Sequence, residues 1–127
     1  MTKRAGAWAP VLVWCAVIFG LSSIPGTKIP TVSIPQFDKL VHGGLYLVLG
    51  ALAARAFSAT TSLSAGRVIV AACLFAAAYG VTDELHQLFT PRRSSDVLDA
   101  LADTAGGLCG AWLSTKILRR GKSASAL

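Results

Sequence analysis

Four stretches of the chain are mostly apolar, and each is bounded by polar or charged residues. They run over about 7–24, 40–57, 68–89 and 97–118. A membrane-crossing helix needs about 20 mostly apolar residues, so the pattern predicts four spanning helices in one domain. The 119–127 tail, ending GKSASAL, is expected to lie outside the bundle and to be disordered. Pro10 is expected in the first turn of the first helix, where a missing N–H costs little. Lys3 and Arg4 ahead of that helix resemble the start of a signal peptide. The absence of a small-x-small cleavage site and the three later spans favour a retained anchor.

A second pattern lies inside these stretches. At about 100° per residue, Asp96, Asp99, Asp103, Gly106, Gly107 and Gly110 share one face of the fourth helix. Leu98, Leu101, Leu108 and Trp112 take the other. Tyr79, Asp83, His86 and Gln87 share a face of the third helix, with Gly80 and Glu84 beside it and Val81, Leu85, Leu88 and Phe89 turned away. Asp38, His42 and Tyr46 follow at i, i+4 and i+8 on the second helix. Counting residues from the helix ends places these groups in layers. Asp38, Arg92, Arg93 and Asp96 come first, then His42, His86 and Asp99, then Tyr46, Asp83 and Asp103. The expectation is that His42, His86 and Asp99 meet in one cavity. Two small-residue rows, Ala102/Gly106/Gly110/Ser114 and Ala72/Ala76/Gly80, predict close helix packing below it.

Composition supports the membrane reading. The 127 residues are 54% hydrophobic and only 14% charged, against about 25% charged in soluble domains. Three cysteines leave one unpaired, so a disulfide scaffold is disfavoured; Cys15, Cys73 and Cys109 read as small apolar fillers. The net charge of +6 does not imply nucleic acid, because no basic stripe is interleaved with surface aromatics. The basic residues instead set topology. With a cytoplasmic N-terminus, Lys3, Arg4, Arg55, Arg67, Lys116, Arg119, Arg120 and Lys122 lie inside, and Lys28, Lys39, Arg92 and Arg93 outside. Both termini are then cytoplasmic, and all six acids fall toward the outer face. The first outer connection repeats Ile-Pro at 24–25, 29–30 and 34–35, and reads as a stiff connector or as a lid over the outer mouth.

Ionisable side chains inside spans are costly and are functional suspects. His42, Asp83, His86 and Asp99 are the acid–base candidates. Asp38, Tyr46, Glu84, Gln87, Arg92, Arg93, Asp96 and Asp103 are candidates for ligand binding, with the two arginines capturing an anion. Nothing in the sequence names a cofactor. The Asp83/His86 spacing of i, i+3 is compatible with metal ligation, without any signature motif to support it. A proton-coupled transporter is a second reading. A third is a structural network of hydrogen bonds and ion pairs that sets helix register.

These motifs together resemble the VanZ-like family. The resemblance rests on Phe37-Asp38-Lys39-Leu40-x-His42 with Tyr46, on Tyr79-Gly80-x-x-Asp83-Glu84-x-His86-Gln87-x-Phe89-x-Pro91, and on Arg93 followed by Asp96, Asp99, Asp103, Gly106 and Gly110. Trp14 through Ser22-Ser23 fits the first helix of that pattern. Asp103 departs from it, since asparagine is common there. The matching arginine is Arg93, with Arg92 an addition. The resemblance implies a small multi-pass protein of the bacterial inner membrane, in a family whose founding member is associated with low-level teicoplanin resistance. It implies a phenotype rather than a reaction. The reading is an all-α, four-helix transmembrane bundle with a polar pocket toward the extracytoplasmic face. Membrane lipids are the expected partners, with an envelope lipid or lipid-linked anionic ligand as the molecule bound; its processing and the oligomeric state stay open.

Overall fold

The computed structural model describes residues 2–31 and 33–127. Among the described residues four α-helices account for the architecture: α1 (Lys3–Ser22), α2 (Phe37–Thr60), α3 (Ala65–Gln87) and α4 (Val97–Ser125), with a short 3₁₀ turn at Gly26–Lys28. The chain runs up and down, so the two termini share one end of the bundle. The connections 23–36 and 88–96 share the other, here termed the loop end. The helices α1, α2 and α3 are long and apolar enough to cross a membrane. The fourth, with 29 residues, has the length, but Asp99 and Asp103 lower its hydropathy.

The order of neighbours follows from side-chain size. The α2–α4 seam is lined by glycine. A side chain at Gly106 would meet the Gly43 carbonyl, and one at Gly110 would meet the Leu47 carbonyl. These backbones therefore approach as closely as small residues permit. Helix α3 packs across both, and α1 packs on α2 and α3 without touching α4 among the described residues. Aromatic groups hold α1 in place: Trp14 Nε1 donates to the Leu45 carbonyl at 2.8 Å, and the Tyr79 hydroxyl donates to the Cys15 carbonyl at 2.6 Å. The core is built largely from alanine, including Ala53, Ala54, Ala56, Ala72, Ala76 and Ala111, while Leu12, Leu74, Leu85 and Leu101 point outward. Large apolar residues outside and small ones inside is the arrangement a lipid solvent favours.

Three expectations need correction. Pro10 lies inside α1 rather than in its first turn, because the helix already begins at Lys3, capped by Thr2, whose hydroxyl accepts the Ala5 N–H. The tail does not leave the bundle as disordered chain. Helix α4 continues through Gly121 to Ser125, since a single glycine costs a helix only about 1 kcal/mol, no proline follows, and Lys122 suits the negative end of the helix. Glycines 43 and 50 of α2 complete the small-residue seam, which the sequence pattern had located on α3 and α4 alone. At the loop end, the Ile-Pro segment is tied to the other connection by a hydrogen bond from the Gly26 N–H to the Pro91 carbonyl, 3.0 Å long. Its Ile24, Ile29 and Ile34 are exposed.

Candidate functional site

Periodicity places the polar residues on the inner faces of α2, α3 and α4, and the bundle then brings them together near the loop end. Asp83, Glu84, Asp99 and Asp103 are all buried, Asp103 completely. His42 reaches into this group from α2. Its Nδ1 is 2.8 Å from Asp103 Oδ1 and 3.8 Å from Glu84 Oε1, and its Nε2 is 3.7 Å from Asp99 Oδ2. The first is a hydrogen bond and the other two are charge contacts. The His42 side chain keeps 11% of its surface exposed.

Lys39 completes the upper layer. Its ammonium lies 2.6 Å from Asp38, 3.0 Å from Asp96 and 2.7 Å from Asp99 Oδ1. The contact to Asp99 is an ion pair without hydrogen-bond alignment. Asp38 remains mostly exposed, and Asp96 is the N-cap of α4, accepting the Leu98 N–H at 2.9 Å. That N–H, followed by Lys39, holds the Asp96 carboxyl below the usual aspartate range. Glu84 Oε2 accepts the Asp96 N–H at 3.0 Å, fastening the start of α4 to α3. Tyr46 is fully buried beneath the cluster, with its ring 6.3 Å from Tyr79.

The sequence marks Lys39 as a topology signal and as part of the Asp38-Lys39 motif, and not as a site candidate. Its position three residues before His42, on the same helical face, is the signal that would have placed it here. Ser22 was also outside the candidate set, yet its buried hydroxyl donates to Asp83. The adjacent Ser22-Ser23 pair at the end of α1 marks the side from which that helix contributes.

His86 does not join His42 and Asp99. It turns toward α1, where its ring stacks on Phe19 at 4.4 Å between centroids and Nε2 lies 2.9 Å from the Ser23 hydroxyl. The expected cavity shared by both histidines is therefore not formed. The cause is geometric: helix α3 lies between α1 and α4, and residue 86, about 60° around it from residue 83, is turned toward Phe19 and Ser23, whereas Asp83 reaches both Ser22 and the cluster.

Arg93 is likewise engaged with α1. Its guanidinium donates to the Ile24 carbonyl at 3.1 Å and the Leu21 carbonyl at 3.4 Å. With its amide oriented to satisfy both neighbours, Gln87 accepts from Arg93 at 3.1 Å and donates to the Ser94 carbonyl at 3.2 Å. Arg93 thus closes the end of α1, while Arg92, at φ 59°, stays exposed.

A cavity of about 890 Å³ opens at the opposite end of the bundle, between Arg55, Ser62, Leu63, Thr115, Arg119 and Lys122. It contains no histidine or carboxylate, so its size does not make it the seat of acid–base chemistry. The chemically distinctive region is the His42 cluster, where His42, Asp83, Glu84 and Asp103 also have the spacing to hold a metal ion.

No curated protein and no solved structure matches the chain. A family model does: that of VanZ/LLP1, over residues 7–119. The match extends from the anchoring aromatics of α1 through the His42 cluster and most of α4, and the chain belongs to the VanZ/LLP1 family.

Proposed function

We propose that this VanZ-family membrane protein binds the anionic head of an envelope lipid, or of a lipid-linked ligand, at the loop end of the bundle. The observation that carries the reading is the rim around the His42 cluster. Ile24, Ile29, Ile34 and Phe89 expose apolar surface there, while Arg92 supplies an exposed positive charge. Apolar and cationic groups side by side suit an amphiphile with a negative head. With the eight Lys and Arg residues of the termini end in the cytoplasm, the loop end faces outward from the bacterial inner membrane. Processing of the ligand would fall to the His42–Asp103 pair, whose hydrogen bond provides a proton donor and acceptor next to one another.

Two measurements test this reading. Native mass spectrometry of the detergent-purified protein should show phosphatidylglycerol retained over phosphatidylcholine. Arg92→Gln should weaken retention about fivefold, matching about 1 kcal/mol for a basic group near an anionic surface. Equal retention of both lipids would overturn the proposal. For orientation, Ser33→Cys should be labelled from outside intact cells and Ser62→Cys only after permeabilisation, in a cysteine-free background. Teicoplanin tolerance of cells carrying these variants links the binding to the family's associated phenotype.

A further inference from the structure

The buried cluster has a charge problem that its side chains do not solve. Lys39 is surrounded by Asp38, Asp96 and Asp99. Asp83, Glu84 and Asp103, with 5%, 6% and 0% of their surface exposed, are left to share His42. One imidazolium cannot balance three buried carboxylates, and uncompensated charge is costly in such surroundings. Moreover, Glu84 Oε1 and Asp103 Oδ2 are buried without a hydrogen-bond partner among the described residues. Buried carboxylate oxygens are normally satisfied, so these two are placed for something besides protein donors.

Their positions suit a small cation. His42, Asp83, Glu84 and Asp103 each offer one ligand atom, and all four atoms lie within 4.8 Å of one another. Ligands at about 2.0–2.2 Å from a shared ion must be spaced on this scale. We propose that these four residues form a divalent-cation site, with His42 Nδ1 and one oxygen from each carboxylate as ligands. One nitrogen with three carboxylate oxygens favours Mn²⁺ or Zn²⁺ over the softer Cu(I), which prefers sulfur. Asp99 faces His42 from the far side of the ring, through Nε2, and is itself held by Lys39. That is the arrangement by which an outer carboxylate orients a metal-bound imidazole. Loading requires the proton shared by Nδ1 and Asp103 to leave.

The inference rests on reading this cluster as the ligand site, and it removes a difficulty in that reading. Three carboxylates repel an anionic head, whereas a divalent ion bound among them cancels two of the three charges. Cation binding is nevertheless measurable without lipid.

The full chain, purified in lipid-free detergent micelles, is stripped with EDTA, desalted, and loaded with Mn²⁺ or Zn²⁺. Elemental analysis should find one ion per chain, and Mn²⁺ should give the electron paramagnetic resonance signal of a bound ion. His42→Gln and Asp103→Asn should each weaken binding at least about tenfold, and Asp99→Asn about 10- to 100-fold as an outer partner. His86→Gln should bind as wild type does. Failure of the folded wild-type chain to retain either ion overturns the proposal whatever the variants do. Equal loss in His86→Gln and His42→Gln also overturns it. Phosphatidylglycerol retention, measured separately with and without EDTA, distinguishes the two readings. Ion binding without lipid retention leaves this site standing and removes the proposed function. Lipid retention by a chain that binds no ion does the reverse.

Discussion

The two histidines both lie toward the loop end, His42 more than a turn into α2 and His86 in the last turn of α3, and have opposite surroundings. His42 lies among four buried carboxylates contributed by α3 and α4. His86 lies half-buried at the edge of α1, against an aromatic ring and a hydroxyl. The neighbours that each ring meets make the difference. A histidine facing the glycine-lined α2–α4 seam meets charge, and one facing α1 meets packing groups. A ring placed among carboxylates can carry a proton or accept an ion, while a ring stacked on Phe19 fastens one helix to another.

The comparison can be broken most severely at His42. His42→Leu leaves Asp103 buried without its hydrogen-bonded partner, and removing one side of a buried charge pair costs about 3–5 kcal/mol. Unfolding of the purified protein in detergent should register that loss, and a variant as stable as wild type would remove the distinction between the histidines.

Next in size is the seam that holds the carboxylates close. Gly106→Val inserts carbon where the Gly43 backbone already lies. Overpacking typically costs about 1–3 kcal/mol, and the same unfolding measurement should show it. Gly66→Val, where nothing lies close to the added carbon, is the control. Equal effects at the two glycines would mean that helix propensity, rather than close approach, sets the loss.

His86→Leu should cost less, about 1 kcal/mol, because it removes one hydrogen bond and part of one stacking contact. It should also loosen α1 specifically, read as faster hydrogen exchange around Ser22 and Ser23 with α4 unchanged. Loosening of α4 instead would place His86 back in the carboxylate group.

The smallest effect concerns pH. Asp96 is held below the ordinary aspartate range by the Leu98 N–H and then by Lys39. Its contribution is fully present above the unfolded-state value and is lost as pH falls through the lower folded-state one. Exchange at the first turn of α4 should therefore rise as the medium is acidified below the usual aspartate range. Asp96→Asn, which keeps a capping oxygen, should flatten that rise. An unchanged profile would show that the cap does not govern the turn.

Much of this molecule is legible in its sequence because lipid imposes coarse rules. Long apolar runs reveal the helices, and helical periodicity distinguishes Leu85, Leu98 and Leu101 from the acids on the opposite faces. What periodicity does not specify is the neighbour that each face meets. Asp83 and His86 share a broad arc of α3, yet Asp83 meets the cluster as well as Ser22, while His86 meets Phe19 and Ser23. Lys39 was hidden by its second meaning, since a basic residue near a helix end also serves as a topology signal. Ser22 was hidden because a hydroxyl at a helix terminus ordinarily bonds its own backbone, as Ser23 does with the Phe19 carbonyl. The extension of α4 to Ser125 passes through Gly121, a residue that more often marks a helix end.

The placement of Asp99 and Asp103 on the last helix has a consequence for biosynthesis. A ribosome delivers α2 and α3 before α4, so Lys39, His42 and the glycine-lined groove of α2 already exist when the two acids emerge. The least apolar helix thus joins the bundle as a late arrival to prepared partners. A circularly permuted chain that made α4 first would present both carboxylates to lipid with nothing to receive them.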